Sequence, residues 1–288
     1  MVKFKKESRA TIYKGTVDDI RQGFYIDGAR SQHDLGLPKL LEGSRYYQKV
    51  KRIENETGNG LGLYPKIYTQ LIDCVQKAYE FGSDGALLNM ASRVRAGGGV
   101  FNGAGSQEEE IFRRTTLGYS LYWFDENAQD VYEYPKKYQG LPVYPIRGDR
   151  AALWSPGVTI FRAGPNGYYD HLQRPGITNV ISVPAVKNPE ITEAGEFKEA
   201  HGRMWRNKIR SVLRVAILGG KTKLVLGAFG CGAYGNPPEL VARLFKEILG
   251  EPEFQGYFSQ ICFAILEDHN SPKGGNYAPF DRVFGHSR

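Results

Sequence analysis

The chain has 288 residues, with 38 lysines and arginines against 31 aspartates and glutamates, so its formal net charge is +7. Hydrophobic residues make up 41% of the sequence and charged residues 24%, which excludes a disordered or collagen-like chain and is typical of a soluble globular protein. No run reaches the roughly 18 apolar residues that a membrane-spanning helix requires. Cys74, Cys231 and Cys262 are few, odd in number and scattered, which argues against a disulfide framework or a zinc site and favours an intracellular, cytoplasmic or nuclear location.

The first predicted element is a helix over residues 9–22, within an N-terminal extension that we expect to span residues 1–65. In the remaining part, residues 66–288, short apolar runs alternate with amphipathic stretches, which is typical of a sheet covered by helices. The apolar runs predict strands at 86–90, 158–162, 179–183, 223–227 and 261–266. Apolar residues at three- and four-residue spacing predict helices at 67–79, 108–121, 197–218 and 239–249. The sequence therefore predicts an α/β sandwich.

The segment 125–156 is long, irregular and rich in tyrosine. It contains Tyr132, Tyr134, Tyr138 and Tyr144. Loops of this length inside a domain are often functional. We expect aromatic packing here, with control of ligand access as the alternative.

A glycine triplet, Gly97 to Gly99, follows the strand predicted at 86–90. Glycine has no Cβ and tolerates positive φ, so the backbone of such a loop can approach a sugar or a phosphate closely. A flexible connection between strand and helix is the alternative.

A second glycine loop follows the strand predicted at 223–227. Gly230, Gly232 and Gly235 have the spacing G-x-G-x-x-G ahead of a helix, which predicts backbone N–H groups aimed at a diphosphate. A dinucleotide oxidoreductase is a remote alternative, because Glu267 and Asp268 lie further on than the acid that such folds place about 20 residues after the loop.

Acidic residues follow the first glycine loop directly. Ser106 and Glu109 have the spacing of a capping box, in which Ser106 caps the helix and Glu109 bonds back to it. The alternative is a glycosidase centre in which Glu108 and Glu109 divide the work of positioning and proton transfer. The helix N-terminus favours ionised carboxylates, whereas a neighbouring glutamate and a bound diphosphate raise the pKa of one of them.

These segments carry a family resemblance. Asn89, at the end of its strand, and the triplet after it resemble the ADP-ribose-binding macrodomain. The triplet, seven residues and then Gln107, Glu108 and Glu109 resemble the signature of poly(ADP-ribose) glycohydrolases of the microbial type. The likeness extends to residues 9–25, 230–237 and 276–280 and so covers nearly the whole chain.

The resemblance implies a macrodomain-like three-layer α/β/α sandwich with a mixed central sheet and an N-terminal helical extension. It also implies hydrolysis of the ribose–ribose O-glycosidic bonds of poly(ADP-ribose), with release of ADP-ribose and without a cofactor or metal. ADP-ribosylated proteins would carry the substrate, the protein would be a monomer, and direct binding of nucleic acid is not expected.

The resemblance further implies a role for each matching residue. Glu109 would be the catalytic acid/base, and Glu108 would hold ribose hydroxyls. Asn89 would orient the ribose, Tyr234 would stack on it, and Phe280 would pack on adenine. The other expected ligand-binding residues line the distal ribose or clasp the diphosphate: Gly97, Gly98, Gly99, Asn102, Gln107, Gly230, Cys231, Gly232, Ala233, Gly235 and Asn236.

Two related functions stay open at this point: a non-catalytic ADP-ribose reader and a hydrolase of mono-ADP-ribosylated targets. Ser92 stands where many of the latter have an asparagine, which disfavours their mechanism. The helix predicted at 197–218 also has a basic face that either attracts polymer or is simply solvated. Its members are Arg203, Arg206, Lys208, Arg210 and Arg214.

Overall fold

A computed structural model describes residues 2–55, 60–135, 143–268 and 271–285. Its centre is a mixed sheet whose strands, in chain order, are β3 (Arg45–Tyr47), β4 (Lys66–Gln70), β5 (Gly85–Met90), β6 (Ala152–Arg162), β7 (His171–Val183), β8 (Lys223–Leu226) and β9 (Gln260–Ala264). These seven strands lie in the order β3-β6-β7-β5-β8-β9-β4. The first two strands, β1 (Phe24–Ile26) and β2 (Gln32–Asp34), form a separate antiparallel pair.

The direction of the strands determines where the two glycine loops meet. β5 lies parallel to both β7 and β8, and β9 lies parallel to β8 and β4. The pairs β3–β6 and β6–β7 of this sheet are antiparallel. Because β5 and β8 are parallel neighbours, the loops that follow them leave the same edge of the sheet, which is where α/β folds bind ligands.

Helices cover both faces of this sheet. They are α1 (Lys6–Gln22), α2 (Leu37–Gly43), α3 (Cys74–Phe81), α4 (Gln107–Arg114), α5 (Leu117–Tyr122), α6 (Glu199–Leu218), α7 (Pro238–Leu249) and α8 (Tyr277–Phe284). Leu87 of β5 packs with the core under α1 to α5, whereas Leu88 packs with the core under α6 to α8, as the alternation of a strand requires. These two cores confirm the predicted three-layer α/β/α sandwich. Within the described part of the chain, no helix is long and apolar enough to cross a membrane.

The five predicted strands are all present, but two helix predictions are partly wrong. Residues 67–70 belong to β4, and α3 begins only after Asp73, whose side chain caps it by accepting a hydrogen bond from Gln76 N at 2.8 Å. The helix predicted at 108–121 is interrupted at Thr115 and Thr116, because Thr116 N donates to Thr159 O of β6 and so leaves the helical pattern.

The N-terminal residues contact the same layers as the rest of the chain. α1 packs against α4 and against a short 3-10 turn at Val100–Asn102, and β3 is an edge strand of the central sheet. Thr16 of α1 donates from Oγ1 to Arg113 O of α4 at 2.6 Å. The division of the chain at residue 65 stays a prediction.

The tyrosines of the segment 125–156 pack inward, which supports aromatic packing as their role. Tyr132 and Tyr134 lie against Tyr119, at ring distances of 5.4 and 5.0 Å. Tyr144 is buried as well, while Tyr138 lies outside the described residues.

Candidate active site

The two glycine loops converge at the carboxyl edge of β5 and β8. We call residues 91–106 the first glycine loop and residues 227–237 the second glycine loop. Tyr234 of the second loop is close enough to Glu108, Glu109 and Arg93 for their charges to act on the pKa of its hydroxyl, which burial raises above its usual range. A glutamate pair and a candidate diphosphate loop therefore share one site.

Glu108 lies in the first turn of α4 and is only 4% exposed. Its Oε2 accepts a hydrogen bond from Ser92 N at 2.8 Å, and its Oε1 accepts longer ones from Gly97 N at 3.3 Å and Asn89 Nδ2 at 3.4 Å. Burial raises the pKa of Glu108 to about 8, and the charge of Glu109 adds to this effect, although the hydrogen bonds oppose it. Glu108 therefore retains a proton near neutral pH.

Glu109 is held by only one of its oxygens. Its Oε1 accepts a hydrogen bond from Gly99 N at 2.9 Å. Its Oε2 is buried and has no hydrogen-bond partner among the described residues. Buried polar atoms are nearly always paired, so this unpaired carboxylate oxygen points to a ligand or a water as its partner.

The glycine triplet is needed because it passes directly over these carboxylates. Gly98 has φ +53°, and a Cβ at this position would lie 2.6 Å from Glu109 Oε1 and 3.2 Å from Glu108 Oε2. At Gly97, with φ +72°, a Cβ would lie 2.6 Å from the Phe112 ring. Such distances leave no room for a side chain. The backbone of the triplet therefore approaches the glutamates as closely as it was expected to approach a ligand.

The capping-box interpretation of the acidic residues is wrong. Ser106 does occupy the N-cap position of α4, but its side chain makes no capping hydrogen bond. Glu109 bonds to Gly99 instead of returning to Ser106. The placement of the glutamates is therefore explained by the loop and not by the helix terminus.

Gln107 and Asn89 bond to the protein rather than facing an open cleft. Gln107 accepts from Met90 N at 2.8 Å and donates to Leu88 O at 2.6 Å, which joins the start of α4 to the end of β5. Asn89 is fully buried and donates from Nδ2 to Ser182 Oγ at 3.0 Å as well as to Glu108, while its Oδ1 lacks a partner among the described residues. The Gln107 side chain therefore positions the helix that carries the glutamates, and its expected place beside a ribose stays a prediction.

The second glycine loop presents free backbone donors. In the described part of the chain, the N–H groups of Gly232, Ala233 and Tyr234 have no acceptor, although their neighbours Cys231 and Gly235 donate within the loop. Gly230 and Gly235 have φ +73° and +66°, which turns successive N–H groups toward one side. With the start of α7 close by, this is an arrangement that binds anions.

Within this loop, the side chains of Cys231 and Asn236 are buried in the protein. Asn236 donates from Nδ2 to Val186 O at 2.7 Å and Gly230 O at 2.9 Å, and its Oδ1 accepts from Trp205 Nε1 at 2.9 Å. The Cys231 thiol is buried and faces Phe229 O. Both side chains therefore hold the loop in place, and the expected contacts of this loop with the diphosphate stay a prediction.

Two further predicted residues lie away from the glutamates' immediate contacts. Phe280 is completely buried, with its ring 5.2 Å from that of Phe263, so its expected contact with adenine is replaced by core packing. Asn102 is exposed at the end of its 3-10 turn.

Two positioning residues had no signal in the sequence, because their contacts join distant parts of the chain. Asp125 is 1% exposed and accepts from Ala96 N at 2.8 Å, which anchors the start of the first glycine loop. Arg9 of α1 donates from Nε to Gly103 O at 2.7 Å, which anchors its end. At Gly103 a Cβ would meet Lys6 O, so α1 lies directly on the loop.

Within the described ranges, no group of three or more His, Cys, Asp or Glu side chains could hold a metal ion. The three cysteines are free thiols. Glu267, considered above for a dinucleotide site, accepts from Asn276 N and Tyr277 N, both at 2.7 Å, and so caps α8.

The fold and this site define a family. A family model described as the catalytic domain of microbial-type PARG matches residues 14–163, more than half of the chain, and the chain belongs to this family. A search of curated protein sequences finds no match.

Solved structures give the more particular likeness. Poly(ADP-ribose) glycohydrolase (PARG) from Thermomonospora curvata is 27% identical, with a TM-score of 0.76, over 96% of this chain and 100% of that chain. A structure of the T. curvata protein bound to the inhibitor ADP-HPD is 29% identical, with a TM-score of 0.74, over 96% and 99%. The protein from Deinococcus radiodurans in complex with ADP-ribose is 29% identical, with a TM-score of 0.63, over 86% and 96%.

Proposed function

We propose that this protein is a poly(ADP-ribose) glycohydrolase in which Glu109 transfers the proton. The observation that carries the assignment is the asymmetry of Glu109: one oxygen is fixed by Gly99 N–H, and the other is buried and unpaired. A carboxyl group held in this way presents one defined oxygen to a reacting atom. Membership of the microbial-type PARG family and likeness to structures that hold ADP-ribose and ADP-HPD support the substrate.

In the proposed reaction, protonated Glu109 donates its proton to the oxygen that links two riboses. The bond between this oxygen and the anomeric carbon then breaks through an oxocarbenium-like transition state. The resulting Glu109 carboxylate accepts a proton from the attacking water, whose oxygen joins the anomeric carbon, and ADP-ribose is released.

Glu108 has the complementary role of binding ribose hydroxyls. Two of the three hydrogen bonds that its carboxyl group accepts are long, at 3.3 and 3.4 Å. These weak contacts are the ones that a ribose hydroxyl replaces at least cost. Backbone donors at Gly232 to Tyr234 would then bind the diphosphate, and Tyr234 would stack on the distal ribose.

The decisive experiment compares Glu109→Gln with the wild type on purified poly(ADP-ribose). We expect kcat to fall by about 10²-fold to 10⁴-fold, the usual contribution of general acid–base catalysis. The affinity for ADP-ribose, measured by calorimetry, should stay within a few-fold. Unchanged release of ADP-ribose would falsify the assignment of Glu109.

Two further arms of the experiment separate the alternatives. A non-catalytic reader would bind ADP-ribose and release nothing from polymer, and a hydrolase of mono-ADP-ribosylated targets would release ADP-ribose from a singly modified protein. Gly232→Val should weaken ADP-ribose binding by about 10²-fold, because a branched side chain enters the space of the diphosphate. The expectations of a monomer that acts inside the cell on ADP-ribosylated proteins belong to this proposal.

A further inference from the structure

The basic face of α6, which the sequence suggested as a surface for polymer, is largely engaged in ion pairs. Three arginine–glutamate pairs join the basic face of α6 to α7 and to the segment after it: Arg206–Glu247, Arg210–Glu251 and Arg214–Glu253, each at 2.6 Å. Arg203 also lies 4.0 Å from Glu199, and Lys208 is buried. Most of this face is therefore neutralised within the fold.

Unpaired basic groups lie instead in a groove of about 600 Å³ beside α6. Its exposed cations come from two segments, with Lys49, Lys51 and Arg52 on one and Arg150 on the other. Among the described residues, Lys49, Lys51 and Arg150 have no ion pair, and Arg52, whose side chain is 80% exposed, reaches Glu253 only at 3.8 Å. We call this the basic groove.

The backbone connects the basic groove to the active site. Val50 N donates to Arg150 O at 2.9 Å, which holds the two basic segments together. Four residues before Arg150, Ile146 N donates to Arg93 O at 2.8 Å. Arg93 follows Ser92, whose N–H holds Glu108. Residues 146–150 therefore link the groove to the first glycine loop.

Side chains connect the same two places. Asn207 lines the basic groove and donates from Nδ2 to Asp149 at 2.7 Å. Its neighbour Lys208 is buried, which lowers its pKa to about 8, and the charges of Asp149 and Arg93 both act on it. Arg93 in turn acts on Tyr234 of the second glycine loop. Asn207, Asp149 and Lys208 thus connect the basic groove with Arg93 of the first glycine loop.

The chemistry of the proposed reaction requires a route for the rest of the polymer. When the ribose–ribose bond breaks, the departing chain begins at the oxygen that Glu109 protonates, beside the first glycine loop. Every further unit of this chain carries a diphosphate. Exposed lysines bind such groups as mobile point charges and accelerate encounter by long-range attraction, and neither effect requires a fixed geometry.

We propose that the basic groove binds the diphosphates of the departing poly(ADP-ribose) chain, outside the subsite that holds the unit being cleaved. This inference rests on the proposed function. Lys49, Lys51 and Arg150 would then make KM depend on the length of the polymer. None of the three contacts Glu108 or Glu109. Nucleic acid is the competing occupant of a basic groove, and the test includes it.

The experiment measures hydrolysis of long poly(ADP-ribose) and of its two-unit oligomer by wild type and by the variant Lys49→Glu/Lys51→Glu/Arg150→Glu. The control variant Lys39→Glu/Arg174→Glu/Lys246→Glu makes the same charge change at exposed positions outside the groove. At low salt we expect the groove variant to raise KM for long polymer by about tenfold, while kcat and the kinetics on the oligomer stay unchanged. Near 1 M salt, where the screening length is about 3 Å, the difference should disappear.

Several outcomes would overturn the proposal: an unchanged KM for long polymer, an equal loss on the oligomer, or an equal effect of the control variant. Tighter binding of single-stranded DNA than of polymer by the wild type, in a mobility-shift assay, would assign the groove to nucleic acid. If the triple variant does not fold, Lys49→Ala/Lys51→Ala should still raise KM for long polymer about threefold.

Failure of the proposed function has a different signature. The wild type would then release ADP-ribose from neither substrate. In that case, a mobility-shift assay with long polymer still tests whether the groove binds polymer. An equal shift by wild type and by the groove variant would contradict polymer binding by the groove.

Discussion

Arg9 and Gly103 join the first helix of the chain to the loop that lies over Glu108 and Glu109. The bond from Arg9 Nε to Gly103 O measures 2.7 Å, and the guanidinium also lies 3.0 Å from where a Cβ of Gly105 would be. One side chain therefore fixes the last turn of the first glycine loop before α4 begins. We therefore expect the N-terminal helix to influence the reaction through this loop.

Arg9→Ala tests this positioning role. Loss of a charged hydrogen bond of about 1.5 kcal/mol should lower kcat on poly(ADP-ribose) about tenfold. The affinity for ADP-ribose should change less than threefold, because the second glycine loop is untouched. Lys14→Ala, an exposed change on the same helix, is the matched control. A lower melting temperature with unchanged kcat would show that Arg9 contributes to stability and not to the reaction.

Gly98→Ala tests the contact between the glycine triplet and the glutamate pair. The new Cβ would lie 2.6 Å from Glu109 Oε1 and would displace it, so we expect a loss of about 10²-fold in kcat. Gly36→Ala is the control, because Gly36 also has positive φ, +66°, but an added Cβ meets nothing within 4 Å. Equal losses in the two variants would attribute the effect to backbone strain alone.

The raised pKa of Glu108 predicts a pH dependence of stability. Its pKa rises from 4.5 to about 8 in the folded protein, so the folded state binds this proton more tightly than the unfolded state between these values. The stabilisation is complete below pH 4.5 and is lost as the pH rises through about 8. The melting temperature of the wild type relative to Glu108→Gln should therefore fall between pH 5 and pH 8.5.

The control for this pH series is Glu193→Gln, at an exposed position. Relative to Glu193→Gln, the melting temperature of the wild type should show no such trend over the same range. A difference between wild type and Glu108→Gln that is constant with pH would contradict the protonated state assigned to Glu108.

Asn236→Ala tests the support of the second glycine loop. The substitution leaves the buried Trp205 indole N–H and Val186 O without their partner, at a cost of about 1–3 kcal/mol for each unpaired group. Gly230 O keeps the hydrogen bond from the backbone N–H of residue 236. We expect ADP-ribose binding to weaken at least tenfold in calorimetry. Ala233→Ser, in the exposed part of the same loop, should bind normally, because its backbone N–H is unchanged. A larger loss of ADP-ribose affinity in Ala233→Ser than in Asn236→Ala would mean that side chains and not the backbone bind the diphosphate.

The sequence predicted the elements with strong local signals and missed those that depend on tertiary contacts. β5, β8 and β9 are largely apolar and were placed to within a residue or two, whereas the edge strands β3 and β4 were not predicted. β4 shows no alternation of exposed and buried residues, because its neighbouring residues Tyr68 and Thr69 are both buried, so its sequence does not separate it from the helix that follows. Its pairing with β9, nearly 200 positions away in the chain, decides the conformation.

The same division holds inside the candidate site. The glycine triplet and the glutamates were found because their spacing is local. The roles of Gln107 and Asn236 were not, because an amide side chain in a loop looks the same whether it faces a ligand or a neighbouring strand. Only the folded chain shows that Asn236 reaches Val186 and Trp205, 50 and 31 positions away.

The free N–H groups of Gly232, Ala233 and Tyr234 have a consequence for how this enzyme tolerates change. A diphosphate held by main-chain donors is recognised without regard to the side chains beside it, so exposed Ala233 can vary while binding persists. Asn236 belongs to the same loop, but its side chain bonds to the protein, and we expect its replacement to weaken binding. In this part of the molecule, we therefore expect sensitivity to substitution to be greater at the residue whose side chain is turned away from the ligand.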